Sequence, residues 1–135
     1  MRPSRIHKII SIYVIIGALF LPACARVSQG QETDTDVNME LTVDPSPATI
    51  GEATLYFELR DAQDQPIEGA SFSAKGDMSH AGMMPVIGDS EEIGDGTYSV
   101  PFGWTMGGDW ILTVVGELPD GQSFSHTFEL TVSSE

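Results

Sequence analysis

Residues 75–85 read Lys75-Gly76-Asp77-Met78-Ser79-His80-Ala81-Gly82-Met83-Met84-Pro85, which puts three of the six methionines and one of the three histidines within seven residues. Thioether sulfur and imidazole nitrogen are the donors that suit Cu(I), a soft ion of low charge. Neither needs a deprotonated thiolate, which an oxidising compartment would threaten. On an extended segment Met78 and His80 share a face, being two residues apart. Gly82 allows a turn that brings Met83 or Met84 back toward His80. Met106, in the Gly-rich loop Gly103-Trp104-Thr105-Met106-Gly107-Gly108, offers a further sulfur from a different loop. Met78, His80, Met83, Met84 and Met106 are therefore the candidate metal ligands, and Cu(I) is the candidate ion. Packing is the competing use of the same residues. Methionine fills irregular core gaps, Met78 continues the parity of Phe72 and Ala74, and Met39 falls on the apolar face of the first strand.

Other chemistries are poorly served, and the chain does not read as an enzyme. Ser79-His80 adjacency is not a triad, because catalytic groups must meet in space with an oriented base and an oxyanion hole. Asp89, Glu91, Glu92 and Asp95 lack the regular spacing of a dedicated calcium loop and read as a solvated acidic loop. His126, between Ser125 and Thr127, reads as a solvated strand residue. The formal charge of −14, from 20 acidic and 6 basic residues, argues against a nucleic-acid partner. A single cysteine, Cys24, excludes an internal disulfide framework and any multi-cysteine zinc or iron–sulfur site.

The elements that would hold these residues are strands. Val37, Met39, Leu41 and Val43 recur every second position, and Asp44-Pro45-Ser46-Pro47 stops the run. Ala53, Leu55, Phe57 and Leu59 alternate in a second run, and Ala70, Phe72 and Ala74 in a third that spans Ile67 to Lys75. A long loop is expected from Gly76 to about Gly94. Strands follow over Thr97–Phe102, Asp109–Val115 and Ser123–Val132, the last two separated by the hairpin signal Asp120-Gly121. No helical period follows residue 23. The expectation is an all-β domain over 37–135, an immunoglobulin-like (cupredoxin-like) antiparallel β-sandwich of about seven strands, with Trp110 in the core beside Tyr98.

Ahead of this domain lies an export signal: Arg2, Arg5 and Lys8, then an apolar run from Ile9 to Phe20, then Leu21-Pro22-Ala23-Cys24. About 12 apolar residues fall short of the ~20 that a membrane-spanning helix needs. Leu21-Pro22-Ala23-Cys24 resembles the bacterial lipobox, so residues 1–23 read as a lipoprotein signal peptide and 24–36 as a flexible tether from an acylated Cys24. An ordinary signal peptide cut near Ala23 or Ala25 is the alternative. After cleavage Arg26, Arg60 and Lys75 stand against all 20 acids, a formal charge of −17. Such a surface attracts cations and basic partners. The expected location is the cell envelope, lipid-anchored, on the periplasmic or extracellular side.

Asp64-Gln65-Pro66-Ile67-Glu68-Gly69-Ala70, then residues 76–85, Gly94-Asp95-Gly96-Thr97-Tyr98 and Met106-Gly107-Gly108-Asp109-Trp110, form a series that resembles the YtkA-like and FixH-like group of exported domains over about Val37 to Val132. The resemblance implies an immunoglobulin-like or cupredoxin-like sandwich. It also implies a link to copper handling or oxidase assembly, with Met78, His80, Met83 or Met84 as the positions involved. Unlike the copper chaperones with a long-spaced His/Met pattern, the chain has no second histidine paired with a methionine near Met106. Two functions remain open: a lipoprotein that delivers or buffers Cu(I), with a protein partner in copper transfer or oxidase assembly, and a metal-free interaction module of an envelope complex.

Overall fold

The computed structural model describes residues 36–79 and 82–134. The expected signal peptide, the expected tether as far as residue 35, Cys24 and His80 lie outside the described residues. Eight strands are found: β1 (Asn38–Asp44), β2 (Gly51–Arg60), β3 (Ser71–Met78), β4 (Val86–Asp89), β5 (Glu91–Gly94), β6 (Thr97–Trp104), β7 (Gly108–Glu117) and β8 (Ser123–Val132). They form two four-stranded antiparallel sheets, ordered β1-β2-β6-β5 and β4-β3-β7-β8. This is the immunoglobulin arrangement, four strands on one sheet and the β3-β7-β8 set on the other, with β4 added beside β3.

Each long strand buries alternate residues, as its apolar period requires. Leu55, Phe57 and Leu59 of β2, Tyr98, Val100, Phe102 and Trp104 of β6, and Trp110, Leu112 and Val114 of β7 fill the space between the sheets. The aromatic rings fall into two groups. Toward one end Phe72 packs edge-on against Phe57, Tyr98 and Phe124 at 5.2–6.0 Å. Toward the other, Trp104 lies 4.8 Å from Phe102 and 5.2 Å from Trp110. Trp110 is in the core as expected, but its aromatic neighbour is Trp104 rather than Tyr98.

The Tyr98 hydroxyl donates to the Ile67 carbonyl at 2.7 Å and accepts from the Ala70 N–H at 3.1 Å, pinning the β2–β3 crossover. Burial is the main cause that pushes this phenol above its ordinary pKa; the charges of Glu92 and Glu68 add to it, and the Ala70 N–H opposes it.

The expected loop from Gly76 to Gly94 is mostly strand. β3 runs on to Met78, and β4 and β5 occupy 86–94, which raises the count from about seven to eight. These short strands escape a search for apolar alternation because the inward residue at the middle of β4 is a glycine. A Cβ on Gly88 would lie 2.6 Å from both the Pro101 carbonyl oxygen and Val100 Cγ1, so β4 can lie against β6 only without one. The chain then changes sheets through Ser90 alone, whose N–H donates to the Phe72 carbonyl at 2.9 Å while its hydroxyl accepts from the Phe72 N–H at 3.0 Å. The acidic run is exposed as expected, but on strands: Asp89 ends β4, Glu91 and Glu92 lie on β5, and Asp95 follows in the turn to β6.

Candidate functional site

The registers decide which loops share an end. Gly51 pairs with Trp104, Met78 with Trp110, Gly76 with Val86, and Gly108 with Val132. The β1–β2, β3–β4 and β6–β7 connections therefore emerge together, and the segment after Met78 meets the segment around Met106. The sequence places these two segments 28 residues apart.

Met78, the last residue of β3, is half-buried and faces inward, as its parity requires. Its Cε lies 3.0 Å from where a Cβ on Gly108 would stand, and Gly108 itself has φ +132°, a conformation that favours glycine. Glycine thus leaves room for the Met78 thioether over the start of β7. The Ser79 N–H donates to the Asp109 carbonyl at 3.3 Å, tying the exit of β3 to the same place.

Met83 is half-buried against the core, whereas Met84 is 87% exposed. Met106 is 44% exposed, and its carbonyl accepts the Trp110 indole N–H at 3.0 Å, so a buried ring holds the β6–β7 connection in position. Met39, on the first strand, is core as expected. His80 is outside the described residues.

His126 is not part of this end. It lies six residues along β8 from Val132, about 20 Å at ~3.3 Å per residue. It is half-buried rather than fully solvated, with its ring 4.6 Å from that of Phe128. It lines a cleft of 330 Å³ with Val37, Met39, Arg60 and Asp64.

Among the described residues no three His, Cys, Asp or Glu side chains gather in a way that would hold a metal ion. An open depression of 360 Å³ beside the methionine end carries Asp109 and Glu129, but the Asp109 carboxylate is occupied by the Thr131 hydroxyl at 2.8 Å. The donors that the described part of this end offers to a soft ion are thioethers. Trp104, packed against Trp110, has its indole N–H buried with no hydrogen-bond partner among the described residues. Trp104 was expected in a loop; it closes β6 as the fourth inward residue after Tyr98, Val100 and Phe102, and that alternation is legible in the sequence.

The sequence model of the YtkA-like family matches residues 31–115, well over half of the chain. The chain belongs to the YtkA-like family. Among solved structures this YtkA-like chain is similar to the crystal structure of the PmoD soluble domain from Methylocystis sp. ATCC 49242 (Rockwell), with 15% identity and a TM-score of 0.49 over 70% of this chain and 90% of that one. No curated protein matches it.

Proposed function

We propose that this YtkA-like protein is an extracytoplasmic, lipid-anchored protein that binds Cu(I) through Met78, His80, Met83, Met84 and Met106, and that it delivers or buffers the ion without turning over a substrate. The observation that carries this reading is the convergence, at one end of the sandwich, of the β3–β4 methionines with Met106. A thioether that only fills a core gap has no need of water, yet Met84 and Met106 are exposed. An open set of soft donors permits transfer by ligand exchange, and the acidic surface would steer a cation or a basic partner toward it. A role in oxidase assembly is the more specific form of the proposal.

The test is anaerobic loading of the full-length protein in detergent with Cu(I), followed by competition with a chromophoric chelator. Retention of the ion against a weak chelator supports the reading, and immediate loss refutes it. A second reading, a metal-free interaction module, is favoured by the exposure of Ile50, Met84 and Met106, one from each of the three connections at this end. Loss of Cu(I) in the competition would put that module first.

A further inference from the structure

The methionines of this fold differ sharply in their access to solvent. Met39 lies between the sheets at 7% exposure, Met78 and Met83 are half-buried against the core, and Met84 and Met106 stand outside it. A thioether gains oxygen when its lone pair attacks a peroxide oxygen. The O–O bond breaks, sulfur is oxidised by two electrons to the sulfoxide, and the peroxide is reduced to water. Exposure therefore sets the order of reaction.

We propose that Met84 and Met106 form a peroxide-responsive modification site, at which conversion to methionine sulfoxide removes two soft donors and releases Cu(I). The release step rests on the copper reading above; the order of oxidation does not. The placement of the two residues separates this event from damage. The β6–β7 connection is held through the Met106 backbone carbonyl by Trp110, not through its side chain, and Met84 lies in the connection ahead of β4. Adding a polar oxygen to either side chain leaves the sandwich packed. The same change at Met39, or at Met78 over Gly108, would force a polar group into closely packed space. Reversal needs a methionine sulfoxide reductase and a dithiol, which becomes a disulfide as the oxygen leaves in water.

The experiment treats metal-free full-length protein, in detergent, with graded hydrogen peroxide and maps oxygen gain at each methionine by peptide mass spectrometry. Met84 should react first and Met106 second. Met39, at 7% exposure against 87% for Met84, should react last. Equal rates, or Met39 ahead of Met84, overturn the proposal.

A second arm repeats the chelator competition. Protein oxidised at Met84 and Met106 should surrender Cu(I) to a chelator concentration that untreated protein withstands, and the double variant Met84→Leu, Met106→Leu, which lacks both donors, should surrender it at that concentration with or without peroxide. Undiminished binding after oxidation overturns the release step. If untreated protein binds no Cu(I), the copper reading and the release step both fall, and the mapping alone decides the modification site.

Discussion

Replacing Tyr98 with phenylalanine removes one oxygen and leaves the ring in place, 5.2 Å from Phe72. The lost hydroxyl strands two backbone groups, the Ile67 carbonyl at 2.7 Å and the Ala70 N–H at 3.1 Å. Both residues are half-buried, so water replaces part of what is lost. An unsatisfied buried polar group costs about 1–3 kcal/mol, and partial access to water places the total for this pair near 2 kcal/mol. With a urea dependence of about 2 kcal/mol per molar, the unfolding midpoint should drop by about 1 M with no change in slope.

The same residue gives a pH signature. Its pKa is raised in the folded protein, so its contribution is fully present below the unfolded phenol value of about 10 and is lost as pH rises through the folded value. Tyr98→Phe should remove that alkaline loss. Urea melts at neutral and alkaline pH read both effects. A midpoint shift under about 0.2 M at neutral pH, where the hydroxyl bonds would be worth under ~0.5 kcal/mol, would refute the assignment of Tyr98 as the clamp on the crossover.

Trp110→Ala should destabilise the domain by about 3–5 kcal/mol in the same melts, because it empties a fully buried site and frees the Met106 carbonyl; a loss under about 1 kcal/mol would contradict its place in the core. His80→Ala should weaken Cu(I) binding in the chelator competition far more than His126→Ala, because His126 lies six residues, about 20 Å, along β8 from Val132 at the methionine end. Wild-type binding should weaken in acid, since protonation of an imidazole ligand competes with the metal while thioethers take up no proton. Cys24→Ser should move the protein from the membrane to the soluble fraction, and a variant that still pellets with membranes in high salt would place the anchor elsewhere.

Much of the architecture was legible because a strand with one buried face writes its own alternation. Leu55-Phe57-Leu59 and Leu112-Val114 are inward positions that can be read residue by residue, and Asp120-Gly121 marks the β7–β8 hairpin, where Gly121 takes φ 86°. β4 and β5 were not legible. Val86-Ile87-Gly88-Asp89 buries a glycine, and Glu91-Glu92-Ile93 is exposed throughout, so neither shows an apolar face. Trp104 was hidden by its glycine-rich surroundings although it completes the alternation from Tyr98.

The sequence alone determined the strand-forming segments, the acidic surface and the methionine cluster at 78–84, since these depend on residue type and on neighbours two positions away. Only the tertiary structure decided that Met106 joins that cluster and that His126 does not. Those relations follow from strand pairing, Met78 with Trp110 across 32 residues of chain and Gly108 with Val132 across 24, and pairing is chosen by how the two sheets close over Trp104, Trp110 and Phe102. It likewise decided which methionines meet solvent. Exposure belongs to the packed sandwich: Met39 and Met84 are the same side chain, separated by the sheets that bury one and leave the other outside.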